Sequence, residues 1–78
     1  MNVLEKYLVE YEIPFQKYED RNTRSIQLTV NNTSCLFRQS KWCANETITR
    51  IGDYEQKYLS QKRMIVLLER LREEEKND

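Results

Sequence analysis

Residues 25–38 read SIQLTV-NN-TSCLFR, two runs of alternating polar and apolar side chains separated by two asparagines. A period of two and a high β-branched content are typical of half-buried strands. Consecutive asparagines tolerate the positive φ angles of a two-residue hairpin turn. The sequence therefore predicts an antiparallel hairpin with one apolar face, whose register pairs Val30 with Thr33, Leu28 with Cys35 and Ile26 with Phe37.

The segment before this hairpin predicts a helix and an edge strand. Apolar residues recur at helical spacing between Val3 and Tyr11, which predicts an amphipathic helix over about 3–12. Pro14 ends that helix because a proline disfavours the helical conformation of the residue before it. The short run Phe15–Glu19 can add one edge strand, so that the sheet has two or three strands.

The segment after the hairpin predicts further helical structure. Asn45 is a suitable cap for a short helix reaching Ile51, although the β-branched residues 47–49 leave this assignment open. Gly52 fits the position after a helix, and Asp53 with Gln56 resembles a capping box. A long helix is therefore predicted from Tyr54 to about Glu75, with residues 74–78 frayed.

These elements together predict one small α+β domain over residues 1–78. It consists of an N-terminal helix, a two- or three-stranded antiparallel β-meander and a long C-terminal helix, with or without a short helix before it.

The predicted C-terminal helix carries apolar residues on two sides. Met64, Leu68 and their neighbours form the stripe expected to face the core, whereas Leu59 and Val66 lie on the opposite side among cations. A helix from 54 to 75 would extend about 33 Å, so either it breaks near Ser60 or another chain packs on it. The leading prediction is a protein contact, with a homodimer as the first candidate and with a partner surface made of Leu59, Lys62, Arg63, Val66 and Arg70.

Charge distribution supports an alternative. The 13 basic residues balance the 13 acidic ones, but the middle of the chain is basic and both ends are acidic. Internal pairing is one interpretation of this asymmetry, and binding of an anionic partner is the other. Cations neutralise phosphates and an exposed indole stacks on bases, so the alternative is a nucleic-acid site made of Arg38, Lys41, Trp42, Arg50, Lys57, Lys62 and Arg63.

The order helix–strands–helix is similar to that of a double-stranded-RNA-binding domain. Ser40-Lys41 lies where that family begins a helix with Ser-Lys-Lys. Trp42 stands in place of the second lysine, and the glycines and loop histidine of the family are absent. The likeness is one of topology, and it implies RNA binding by the basic middle segment.

Catalytic chemistry has little support in this composition. The chain has no histidine and one glycine, which removes the commonest general base and any glycine-rich phosphate loop. A helix followed by strands also resembles the core of restriction-endonuclease-type nucleases, in which Asp20 and Gln39-Ser40-Lys41 would take the catalytic positions. A degenerate, metal-dependent core of this kind is the third hypothesis. The main prediction is a non-enzymatic protein without a cofactor or a metal.

The two cysteines are interpreted as one buried thiol and one incidental thiol. A bridge between Cys35 and Cys43 and a zinc site shared across a dimer are the alternatives. The chain shows no secretory signal and no apolar run near the roughly 18 residues of a membrane span. The sequence therefore predicts a cytoplasmic regulator, adaptor or inhibitor. The frequency of such small proteins in phages and mobile elements also favours an origin of this kind.

Overall fold

The computed structural model describes the backbone of residues 1–76 and the side chains of residues 1–74. Its strands form one antiparallel meander in the order β1-β2-β3-β4-β5. The α+β class is therefore confirmed, with one helix before the five strands in the sequence and one after them. The elements are α1 (Asn2–Glu10), β1 (Gln16–Glu19), β2 (Thr23–Val30), β3 (Thr33–Ser40), β4 (Thr47–Ile51), β5 (Tyr54–Lys57) and α2 (Gln61–Lys76).

The central hairpin forms in the predicted register. Strands β2 and β3 pair Val30 with Thr33, Leu28 with Cys35 and Ile26 with Phe37. Asn31 and Asn32 connect them with φ angles of 53° and 61°. Positive φ at both central residues is the mark of a type I′ turn, whose twist matches that of the strands it joins.

Both helices pack on one face of the sheet. Leu4 and Leu8 of α1 and Met64 and Leu68 of α2 are fully buried, and they share one core with Phe37 of β3. Burying a side chain of this size stabilises the fold by roughly 1.5–3 kcal/mol. The helices are also joined directly, because the Leu4 backbone N–H donates to Gln61 Oε1 at 3.0 Å.

The first helix and the edge strand lie close to their predicted positions. Helix α1 ends at Glu10, and Glu12 takes a left-handed φ of 56° just after it. The Ile13 N–H then donates to the Leu8 carbonyl at 2.9 Å, which closes the helix end before Pro14. Strand β1 occupies most of the segment predicted as an edge strand.

The strand count of two or three is wrong, because the sheet has five strands. The short helix predicted from Asn45 to Ile51 is instead strand β4, which pairs with β3. The β-branched residues Thr47, Ile48 and Thr49 favour this outcome since they pack well on a pleated surface. Gly52, assigned to a helix end, lies in the turn between β4 and β5 with a φ of 58°.

The predicted start of the long helix is also wrong. Residues 54–57 form strand β5, and α2 begins at Gln61. Ser60 caps it, because the Ser60 hydroxyl accepts the Arg63 N–H at 3.2 Å. Asp53 and Gln56 therefore do not form a capping box. The helix has 16 residues and extends about 24 Å, so it is shorter than predicted because it begins after Ser60 and not because it breaks there.

Helix α2 continues to Lys76. The prediction that residues 74–78 fray falls partly on Asn77 and Asp78, which lie outside the described residues.

Candidate functional site

One face of the sheet stays uncovered by the described residues, since both helices pack on the other. We call this uncovered face the open face. Side chains alternate between the two faces along each strand, and the pairing of the strands aligns the side chains of the open face in rows across the sheet. The first row runs through Tyr18, Ser25, Arg38, Ile48 and Lys57. The second row runs through Gln16, Gln27, Leu36, Arg50 and Glu55.

Three cations converge on this open face from neighbouring strands. Arg38 and Lys57 each lie directly opposite Ile48, one on either side of it. Arg50 lies two residues further along β4. With strands about 4.8 Å apart, the backbones that carry these three cations lie within about 10 Å of each other. Arg38, Arg50 and Lys57 are far apart in the sequence, and the pairing of β3, β4 and β5 brings them together.

Acidic neighbours compensate only part of this charge. Arg50 Nη2 lies 3.7 Å from Glu55 Oε2, and both side chains are exposed, so the pair is weak. Among the residues that the structure describes, Arg38 and Lys57 have no ion-pair partner. The middle of the open face therefore keeps an uncompensated positive charge.

A shallow pocket of about 250 Å³ lies at one end of the open face. Arg38, Lys57 and Ile48 contribute to it from the first row. The other residues that line it are Thr23, Ser40, Glu46, Thr47 and Tyr58. Cations, an apolar side chain, hydrogen-bonding groups and a ring thus meet in one place.

Tyr58 has an unusual backbone conformation at the edge of this pocket. Its φ angle is 67°, a left-handed value that costs a bulky residue roughly 1–2 kcal/mol. Its N–H donates to the Thr47 carbonyl at 2.9 Å. The side chain remains 71% exposed, so the fold holds a strained aromatic residue at the surface instead of burying it.

Lys41 and Trp42 follow Ser40 in the loop between β3 and β4, and they are not among the residues that line the pocket. Lys41 Nζ pairs with Glu19 Oε1 at 3.2 Å, and this hydrogen bond lowers the pKa of the Glu19 carboxyl below its ordinary value. Trp42 is 78% exposed, and its Nε1–H donates to Asn22 Oδ1 at 3.1 Å. Ser40-Lys41 thus ends a strand and does not start a helix, unlike the corresponding residues of a double-stranded-RNA-binding domain.

The residues of the predicted helical partner surface divide into two groups. Lys62, Arg63, Val66 and Arg70 share the side of α2 opposite to Met64 and Leu68, as their spacing of three, four and seven residues requires. Leu59 precedes the helix and packs against the core, half-buried. Leu59 and Val66 therefore do not form one exposed stripe. Whether the remaining four residues bind a partner stays a prediction.

The side chains of the nuclease-like hypothesis have structural contacts. Asp20 accepts the Asn22 and Thr23 N–H groups at 2.8 and 2.7 Å in the turn between β1 and β2. Gln39 points into the covered face and donates to the Ala44 carbonyl at 3.1 Å. Within the described residues, no group of three or more His, Cys, Asp or Glu side chains is placed to hold a metal ion.

The two thiols are separated as the sequence indicated. Cys35 is buried in the core and Cys43 is exposed, and neither forms a disulfide. Burial raises the pKa of the Cys35 thiol to about 11.

Sequence reasoning missed two of the aromatic residues on or beside the open face. Tyr58 falls within the single helix predicted from Tyr54 to about Glu75, because the helical period continues through Ser60 to Tyr54. Tyr18 falls within the predicted edge strand Phe15–Glu19, without a predicted role. The usable signals were Ser60 as a helix cap and the β-branched run before Gly52, which together predict a hairpin here and place Tyr58 after its second strand.

A scan against protein-family models found no match to this chain, and searches of the curated proteins and of the solved structures found none either. Among the described helices, neither combines the length and the apolar character that a membrane crossing requires.

Proposed function

We propose that this chain is a non-enzymatic binding protein that takes up an anionic macromolecule on the open face of its sheet. The observation that carries the proposal is the convergence of Arg38, Arg50 and Lys57 on one uncovered surface from three neighbouring strands. A protein of this kind would act as a regulator or inhibitor by occupying its partner.

The surroundings of the three cations support binding rather than mere solubility. Leu36 and Ile48 lie between them and are half-buried, so a partner can gain apolar contact as well as charge neutralisation. Clustered cations raise the local concentration of an anionic partner and steer its approach.

Charge reversal on two different surfaces tests this proposal. One variant replaces Arg38, Arg50 and Lys57 by Glu, and the matched control replaces Lys62, Arg63 and Arg70 of α2 by Glu, so that the net charge changes equally. Binding is measured to heparin, to a polyglutamate peptide and to an oligonucleotide as a function of salt. We expect the sheet variant to lose binding to at least one polyanion, with the helix variant close to the parent protein.

Two results would overturn the proposal. Equal losses in both variants would mean that binding follows net charge and not the open face. A loss only in the helix variant would transfer the site to α2. Circular dichroism melts of both variants establish that each is folded under the binding conditions.

A protein contact through α2 is the second candidate. Val66 is 37% exposed and lies between Arg63 and Arg70 on the side of the helix that faces away from the core. This arrangement supports a small apolar contact with a polar rim. Light scattering of the two variants tests it for a second copy of this chain, since self-association through α2 would be lost in the helix variant and kept in the sheet variant.

A further inference from the structure

We propose that the pocket beside Tyr58 holds one unpaired nucleotide of a single-stranded nucleic acid, with the base against the Tyr58 ring and the phosphates beside Arg38 and Lys57. This inference depends on the proposed function, because it names the anionic macromolecule that the open face takes up.

The backbone around Tyr58 is built to hold its ring outside the core. Thr47 makes two hydrogen bonds to this segment: its carbonyl accepts the Tyr58 N–H at 2.9 Å, and its hydroxyl donates to the Leu59 carbonyl at 2.7 Å. Leu59 then packs against the core, whereas Tyr58 lines the pocket. Strained backbone persists only where its surroundings hold it, and such residues cluster at binding sites.

The chemistry of the pocket fits a nucleotide better than an acidic peptide. Every base has a π-face that can stack on an aromatic ring, whereas a carboxylate gains nothing from one. Glu46 also lines the pocket, where it would repel a carboxylate but could accept a hydrogen bond from the exocyclic amino group of a base. Arg38 and Lys57 would face the phosphates on the sheet beside it.

The polar and steric details agree with this occupant. Ser40 Oγ accepts the Trp42 and Cys43 N–H groups at 3.1 and 3.3 Å. These bonds fix the position of the oxygen and leave its O–H group available to donate to an occupant of the pocket. The pocket volume of about 250 Å³ lies below the roughly 300 Å³ at which sites for drug-sized ligands begin. It therefore suits one base and not a larger cofactor.

The same geometry favours a single strand over a duplex. Bases inside a duplex are stacked on their neighbours and offer no free face to a tyrosine, whereas unpaired bases can be splayed out and stacked on aromatic side chains. The pocket lies on a sheet surface between the ends of β3, β4 and β5. No helix of the described residues projects from this surface to enter a groove.

Fluorescence anisotropy with a labelled ten-nucleotide strand, as DNA and as RNA, tests the inference against the same strand annealed to its complement. We expect the single strand to bind more tightly than the duplex. Tyr58→Ala should weaken binding about fivefold or more, and Tyr58→Phe should retain it. Arg38→Ala should reduce the slope of log K against log salt by about 0.7.

Two further variants separate the ring from the fold. Tyr58→Asn removes the ring but suits the left-handed backbone, so it should remain folded and bind as weakly as Tyr58→Ala. Tyr54→Ala is the matched control, because Tyr54 is exposed on β5 but pairs with Ile51 on the covered face of the sheet. It should bind as the parent protein does.

Some outcomes contradict this inference alone, and others contradict the proposed function as well. If the duplex binds as tightly as the strand, or if the variants that remove the Tyr58 ring bind normally, the nucleotide site is wrong. If only heparin or polyglutamate binds, with a loss in the sheet variant, an anionic partner of another class occupies the open face. If no polyanion binds at low salt, both proposals are wrong.

Discussion

Thr47 and Thr49 lie two residues apart on the buried side of β4, and the Thr47 hydroxyl has a hydrogen-bond partner whereas the Thr49 hydroxyl has none among the described residues. Thr47 Oγ1 donates to the Leu59 carbonyl at 2.7 Å. Thr49 is fully buried, opposite Phe37, with an unpaired Oγ1. Two chemically identical side chains on one strand therefore contribute to stability with opposite signs.

Replacing Thr49 by Val should raise the free energy of unfolding by about 1 kcal/mol. Valine keeps the shape of threonine and removes a buried hydroxyl that lacks a partner. Thr47→Val is the matched control and should lower the free energy of unfolding by about 1–3 kcal/mol, since it leaves the Leu59 carbonyl unpaired. Urea denaturation measures both variants; changes of the same sign would contradict the assignment of the two hydroxyls.

Asp20 predicts a specific dependence of stability on pH. Its exposed carboxylate accepts the Asn22 and Thr23 N–H groups and the Thr23 hydroxyl, and these bonds lower its pKa from the ordinary 3.8. A lowered folded-state pKa stabilises the fold above the unfolded-state value, and this contribution is lost as the pH falls through the folded-state value. Asp20→Ala should therefore lower Tm at pH 7, by a difference that shrinks below about pH 3.8.

Asp20→Asn is the control for this prediction. The amide oxygen of asparagine can accept the same N–H groups but does not titrate in this range. Its Tm should lie between those of the parent protein and of Asp20→Ala at pH 7. A constant difference between the parent protein and Asp20→Ala from pH 7 to pH 2 would show that protonation of Asp20 has no part in stability.

The sequence was sufficient for those parts of the fold whose faces differ in polarity. In the central hairpin, alternation fixed the register because a shift by one residue would expose Phe37 and bury Arg38. Helix α1 was predicted for the same reason. Strand β5 carries only exposed residues, so no alternation marks it, and its Glu, Gln and Lys favour a helix intrinsically.

The candidate site was predicted less well than the fold. The basic composition of the middle segment indicates Arg38, Arg50 and Lys57, but their common surface depends on β4 and β5, which the sequence predicts as helical. Lys41 and Trp42 belong to the same predicted site, although Lys41 pairs with Glu19 at the end of β1 and Trp42 donates to Asn22 in the turn after it. Composition shows which charges exist, and only strand pairing shows which of them are neighbours.

Thiol reactivity should separate the two cysteines. Cys43 is exposed, whereas Cys35 is fully buried with its pKa raised to about 11. Because the thiolate is the reactive form, one thiol per chain should react rapidly with Ellman's reagent at pH 8, and the second only when the protein unfolds. Cys43→Ser should abolish the rapid phase and keep the slow one. A rapid reaction of Cys35 in that variant would contradict its burial.

Leu59 and Val66 should respond differently to the same substitution. Leu59→Asp would place a charge against the core and should unfold the protein or lower the free energy of unfolding by several kcal/mol, whereas Val66→Asp should change it by less than about 0.5 kcal/mol.

Light scattering of the parent protein and of Val66→Asp then tests the predicted homodimer. Val66 is the exposed apolar residue at the centre of the predicted surface on α2, so a dimer through that surface must dissociate in Val66→Asp. A dimer that persists in Val66→Asp would use another surface. If the parent protein is a monomer at high concentration, α2 does not mediate self-association.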